Sequence, residues 1–387
     1  MGNNHTVFRA STGLRWALAF LIAGAVASQP LQANTTEPDR AARAVAGLEY
    51  TLKGFGKEEE DQWRAAAREI GQFWGAYERR IGSPMRQWGC QELASAEGRT
   101  VFYPFSGPDL PSVALLYPDA SRYAMVSMQR AGPPPDLQAL SGEQLGEYLV
   151  ALRKAWKSYG TLGYFRTDDL EADRKSAGPR LGVTGPLMAF AARLGFTVQR
   201  VEPIQLDASG NVVPVTGEAA KSASAWQSVR LHLVRDRKNV VVDYLSMNLS
   251  DQSLEKNEPA RQAIAQLASN PVMLKAASHL PQKPYFSIVR NHLVTKAHSI
   301  IQDETGIEYA TLVESFGTVR LYGKFTAPHR MFDRGWQTSL AAAYKDDARA
   351  NPLPFKLGYE KRSGSALQVA LRQGTAQPMR RTCPTLE

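Results

Sequence analysis

The chain has 387 residues, 43% hydrophobic and 21% charged, with a formal charge of +9. That composition excludes a disordered or fibrous polypeptide and supplies ample apolar surface for a core. Lys and Arg are dispersed along the sequence, the densest group being "PMRR", which argues against the basic stripe of a nucleic-acid reader.

Taken in chain order, the first element is an export signal. Arg9 and Arg15 precede the apolar run "WALAFLIAGAVA", and no acidic residue occurs before Ala33. Its 12 residues fall short of the roughly 20 that span a bilayer. A positive start, a short apolar stretch and the small-residue triplet "LQA" describe a secretory signal peptide, residues 1–33. Its removal takes two positive charges and leaves +7. No second long apolar run follows, so no transmembrane anchor is expected, and the destination is the periplasm or the exterior. Residues 34–90 form an N-terminal extension. Within it Trp63, Ile70, Trp74, Tyr77 and Ile81 recur at helical spacing, the signature of an amphipathic helix with a core-facing stripe.

From residue 91 to 387 strands and helices alternate. "TVFYPF" and "RYAMVSMQ" read as strands around the short helix "DLPSVALLYP". "SGEQLGEYLVALRKAWKSYG" is a helix opened by a Ser141–Gln144 capping box. "LMAFAARLG" is a helix, "FTVQRVEPI" a strand, and the segment around "RDRKN" a β-hairpin. Asn270 and Pro271 predict a helix start running to Leu280, and "YFSIVRNHLVTKA" a further helix. "SIIQDETGIEYATL" predicts a hairpin turning at Asp303–Gly306. "TVRLYGKFTAP", "FKLGYE" and "ALQVALR" predict strands, and "TSLAAAYKDDARA" a helix. The fold class that follows is α/β: one domain with a mixed sheet covered by helices.

The segments "MRQW…EL", "VFYPFSGPD", "YFRTDD", "KAASHLPQKPYFSIVRN", "IIQDETGIEY", "LYGKFTAP" and "LPFKLGYE" occur in that order. Together they resemble a family of exported bacterial proteins that share the FYPFSGPD, KPYFS, QDETG-Y, LYGKF and LPF-GY motifs. The likeness spans roughly residues 85–371. It implies export and one shared fold, and it brings no catalytic residues with it.

The chemistry must therefore come from the residues. No nucleophile elbow, phosphate loop, dinucleotide fingerprint or zinc-protease motif is present, and no cofactor is expected. At Ser106-Gly107-Pro108-Asp109 a strand meets a helix start, where backbone N–H groups face a ligand at the strand's end. Ser106 and Asp109 are ligand-binding candidates there; the alternative is a turn and helix cap. If they serve a ligand, Asp109→Asn should cost less than about 1 kcal/mol, since the amide keeps the shape and one acceptor. On a helix, Lys283, Ser287 and Arg290 share one face, a carboxylate or phosphate holder or else a solvated basic face. Arg166 lies beside Asp168 and Asp169, and Tyr322 and Lys324 point to the same side of a strand. The three histidines His279, His292 and His298 lack ligand spacing, so no metal site is expected. Cys90 and Cys383 are a disulfide candidate, worth about 5 kcal/mol if formed, or two separate thiols. The leading reading is recognition of an anionic or glycan ligand of the cell envelope by Ser106, Asp109, Arg166, Lys283, Arg290, Tyr322 and Lys324 in one cleft. A hydrolase using that cleft with Asp109 as base, and a scaffold without a small ligand, are the alternatives.

Overall fold

The structure, a computed structural model, describes residues 36–48, 56–162, 182–345, 350–359 and 365–372. The signal segment, Arg166 and Cys383 lie outside the described residues. Strands β1 (Thr100–Pro104), β2 (Arg122–Ser127), β6 (Lys238–Ser246), β7 (Val272–Leu274) and β8 (Ser299–Gln302) form a parallel centre in the order β8-β7-β1-β2-β6. Their cores, "VFY", "YAMV" and "VML", are continuous apolar runs buried on both faces, as parallel strands between two helix layers must be. Antiparallel strands extend both sides. β5 (Ser228–Arg235), β3 (Thr197–Leu206) and β4 (Val212–Pro214) follow β6, while β11 (Ala366–Leu371) and β9 (Thr318–Gly323) follow β8. The two-residue β10 (Ala350–Asn351) closes that edge, parallel to β9. The mixed α/β architecture read from the sequence is therefore present.

Side-chain alternation divides the core. Val101, Tyr103, Tyr123, Met125, Val242 and Tyr244 face one layer, which holds α1 (Glu37–Val45), α2 (Lys57–Tyr77), α3 (Ser83–Glu92), α4 (Leu110–Leu116), α5 (Gly142–Leu162) and α6 (Thr184–Arg193). Phe102, Ala124, Val126, Leu245 and Ile300 face the other. It is built from α7 (Asp251–Lys256), α8 (Glu258–Leu267), α9 (Ser287–Lys296) and α10 (Tyr309–Phe316), and α11 (Thr338–Lys345) covers β9 in a smaller cluster. The stripe on α2 is core. Trp74 meets Trp156 edge-on at 5.8 Å, and Tyr77 lies 5.1 Å from Tyr159. Helices α1, α2 and α3 thus share one continuous core with α5 and α6. Among the described residues no helix is long and apolar enough to cross a membrane.

Three local expectations are corrected. Residues 272–274 are a strand, not part of a helix. Asn270 Nδ2 donates to Leu267 O at 2.9 Å, so Asn270 ends α8, and a short apolar run does not distinguish helix from strand by periodicity. Residues 299–312 are β8 and the start of α10, not a hairpin. Gln302 supplies the missing partner: its Oε1 accepts from Ile307 N at 2.9 Å and its Nε2 donates to Ile307 O at 2.7 Å. Residues 355–359 are not a strand; Ser365 Oγ binds both the N–H and the C=O of Leu357, at 2.6 and 2.9 Å.

Candidate functional site

From β1 the chain steps through β2 to β6 on one side, then returns to β7 and β8 on the other. The reversal lies between β1 and β7, and in open α/β sheets the crevice at the carboxyl ends of such a pair is the usual ligand site. Asp109 follows β1 and Lys275 follows β7, which brings both side chains to this point. Both are buried, and Lys275 Nζ lies 2.5 Å from Asp109 Oδ2. Tyr103 OH donates to Oδ2 at 2.9 Å, and Tyr159 OH to Oδ1 at 2.8 Å. Ser112 donates to Oδ1 through its hydroxyl at 2.9 Å and its backbone N–H at 3.4 Å, which makes Asp109 the N-cap of α4. Lys275 also donates to Ser112 Oγ at 2.8 Å. Burial, then the Asp109 charge, pushes the Tyr103 and Tyr159 phenols well above their ordinary values, so both stay protonated and donate.

The carboxylate is thus saturated from inside the protein and has no lone pair directed at solvent. Ser106 commits its single hydroxyl proton to backbone, shared between Gly107 O at 2.9 Å and Val126 O at 3.3 Å. The Ser-Gly-Pro-Asp corner is a cap and a buried ion pair. Its backbone is nonetheless unusual. Phe105, Ala276, Ser278 and His279 all adopt left-handed conformations, φ 51–60°, at the ends of β1 and β7. Strain of this kind persists only where surrounding structure over-determines it, and it gathers at functional sites.

Asp303, at the end of β8, ties the neighbouring loops together. It accepts from Ala276 N at 2.7 Å and from Thr305 N and Oγ1 at 2.9 and 2.5 Å. Gly358, at φ +69°, packs so closely that a Cβ there would lie 2.2 Å from Asp303 Oδ2. Burial raises the Asp303 pKa above the ordinary carboxyl value, outweighing its hydrogen bonds and the charge of Lys275. The folded state therefore holds this proton more tightly than the unfolded chain. Its contribution to stability is complete below about pH 4, the ordinary carboxyl value, and is lost as pH rises through the folded pKa. Urea titrations should show the stability of wild type relative to Asp303→Asn decreasing from pH 4 toward neutrality. The loss is about 1.4 kcal/mol for each pH unit by which the folded pKa exceeds the ordinary one. An increase over that range would contradict the assignment.

Among the described residues, the other expected site residues do not join this point. Arg290 Nη1 donates to Pro281 O and Lys283 O at 2.9 and 3.1 Å, clamping the turn before α9. Ser287 is held by Asp251 Oδ2, which accepts from its hydroxyl at 2.7 Å. Tyr322 is buried and donates to Glu92 Oε2 at 2.6 Å. It sits on β9, with Lys324 just past the strand's end, four strands from β1, or about 19 Å at the usual strand spacing. The described members of the seven-residue cleft expected from the sequence are therefore not brought to one point, and Arg166 lies outside the described residues.

Lys324 instead lines a groove whose walls are Arg80, the end of β9 and the Leu353–Lys356 segment, and which continues past Pro354 along α3. Two depressions of about 470 and 430 Å³ share Pro354 as a wall. Arg79, Arg80, Lys324 and Lys356 contribute four cations, and no carboxylate side chain lines either depression among the described residues. The arginines come from a π-helical turn, Glu78–Gly82, a local irregularity that recurs at functional sites. Trp88 stands edge-on against Tyr322 at 4.9 Å. Its indole Nε1 is buried and has no hydrogen-bond partner, although buried indole N–H groups ordinarily find one. In sequence, Arg79 and Arg80 look like a dipole-matched helix end, and Trp88 carries no mark of its own. The available signal is "ERRIGSPMRQW", cations followed by an aromatic in one helical segment.

Compared with protein-family models, curated proteins and solved structures, the chain matches none.

Proposed function

We propose that the protein is exported and binds an anionic, sugar-containing ligand of the cell envelope in the groove beside Trp88. The observation that carries this reading is the groove's composition among the described residues: four cations, no lining carboxylate, and a buried indole donor in want of an acceptor. Acidic groups on the ligand would meet Arg79, Arg80, Lys324 and Lys356, and a hydroxyl or ring oxygen would accept from Trp88. Gln87 and Gln91 add amides suited to hydroxyls. Export rests on the Arg15-flanked apolar run and the "LQA" triplet; mass spectrometry of the mature protein should find a start after Ala33.

The test is binding by mature protein, followed by tryptophan fluorescence and calorimetry. The probes are a galacturonate oligomer, inorganic pyrophosphate and a neutral glucose oligomer. The acidic oligomer should bind and the neutral one should not; pyrophosphate measures how much charge alone contributes. Each exposed ion pair is worth up to about 1 kcal/mol. Reversing two charges in Arg79→Glu/Lys324→Glu should therefore weaken binding at least tenfold, about 1.4 kcal/mol, without lowering the melting temperature. Equal binding of neutral and acidic oligomers, or indifference to charge reversal, would reject the reading.

A further inference from the structure

His279 lies beyond the groove and beyond the Asp109 cluster, just after β7. Its Nδ1 is 3.1 Å from Gln282 Oε1. The orientation of that amide is fixed, because Gln282 Nε2 donates to Glu304 O and Gly306 O at 3.2 and 2.9 Å. Oε1 therefore faces the imidazole as an acceptor, so Nδ1 carries the proton and Nε2 presents its lone pair. That Nε2 is buried without a partner. Burial also lowers the His279 pKa, keeping the ring neutral near pH 7.

An imidazole oriented by an amide on one nitrogen, with the other nitrogen bare, is arranged to accept a proton. Phe332 and Gly335 lie against it. The Phe332 ring lies 5.3 Å away, and the ring packs so tightly under Gly335 that a Cβ there would come within 2.4 Å. Both belong to the segment Arg330–Gly335, broken at Phe332 by non-helical angles, φ −132° and ψ 39°. Gln337 fastens its end, donating to Glu304 O and accepting from Tyr309 N, both at 2.9 Å. Phe332 and Tyr359, 5.0 Å apart, give the place an aromatic rim. Burial of the ring among aromatic neighbours disfavours a charged substrate.

We propose that His279 is the general base of a second, hydrolytic centre at the carboxyl ends of β7 and β8, screened by the 330–335 strap and acting on a small uncharged ester. Nε2 takes a proton from water as the water oxygen bonds to the ester carbonyl carbon. The carbon–oxygen bond to the alcohol then breaks, and the departing oxygen receives the proton from the imidazolium. The acid and the alcohol are the products. This reading is independent of the groove, and its test does not use the groove's ligand.

Nitrogen-15 NMR of the mature wild-type protein should show His279 Nε2 unprotonated and Nδ1 protonated; the opposite tautomer overturns the proposal. Hydrolysis of p-nitrophenyl acetate should rise when Phe332→Ala loosens the strap. His279→Gln in that background should remove about a hundredfold of the rate, the lower end of general-base contributions. Folded Phe332→Ala protein with no gain, or a gain that survives His279→Gln, overturns it equally. Should Phe332→Ala not fold, carbethoxylation of wild-type Nε2 by diethyl pyrocarbonate replaces it. That labelling should accelerate in mild urea before global unfolding, and labelling only with global unfolding counts against a screened centre.

Discussion

Lys275→Met should destabilise the protein by about 3–5 kcal/mol, the range for breaking a buried ion pair by removing one partner. The methionine fills the volume of the lysine stem, so the loss is electrostatic rather than a cavity effect. It strands Asp109, whose side chain is only 5% exposed, with four neutral donors in place of a cation. Asp109→Asn should cost a comparable amount, not the small change expected if the corner merely served a ligand. An amide nitrogen placed at Oδ2 would oppose the ammonium of Lys275 and leave that charge buried alone. The double variant Asp109→Asn/Lys275→Met removes both charges. It should recover at least about 1 kcal/mol relative to the sum of the single losses, within the usual range for contacting residues. Urea denaturation of the four proteins measures the cycle. Additive losses would mean that the pair is not coupled and that its position at the strand reversal is incidental.

The comparison with sequence reading turns on where information is local. Amphipathic stripes such as Trp63–Ile70–Trp74 and the Ser141–Gln144 box, whose two reciprocal bonds form at 3.1 and 3.3 Å, are legible because periodicity and capping involve residues a turn apart. The RDRKN hairpin is legible for the same reason; Asp236 and Arg237 take the left-handed angles its two-residue turn needs. The strand at 272–274 is not, because its identity depends on β1 and β8 accepting it between them. The ends of the parallel strands are half legible. "VFYPFSGPD" announces a corner with a carboxylate, but its counterion lies 166 positions away at Lys275, in a stretch whose local signals are helical. Tyr322 and Lys324 stand out in sequence for sharing a strand face. What gives Lys324 its cationic neighbour is the approach of the π-helical turn that carries Arg80, which no spacing rule anticipates. Gln302 and Gln282 escape notice because an amide that substitutes for backbone has no pattern in sequence.

A second large effect belongs to Asp243, an acid inside the apolar run "NVVVDYL". Its side chain is fully buried on β6. Arg230 of β5, its direct cross-strand partner, grips it with two hydrogen bonds, Nε to Oδ1 at 2.6 Å and Nη2 to Oδ2 at 3.0 Å. Arg122 of β2 donates to Oδ2 through Nε at 2.7 Å. One carboxylate therefore holds two guanidinium groups across three strands, and Asp243→Ala leaves those cations facing each other. The arginine side chains keep 30% and 17% of their exposure, so water recovers part of the loss. About 3 kcal/mol is expected, the low end for a broken buried pair. Exposure also separates this cluster from the one at Lys275. Added salt screens charges that reach solvent and leaves enclosed ones largely untouched. Raising the sodium chloride concentration should therefore restore part of the stability of Asp243→Ala by relieving the repulsion between Arg122 and Arg230. The same salt should do little for Lys275→Met, whose stranded carboxylate ions cannot reach. If Asp243→Ala gains nothing from salt while Lys275→Met does, the two sites have been assigned the wrong way round: the sheet-face pair would be the sealed one, and the crevice at the strand reversal would be open to solvent.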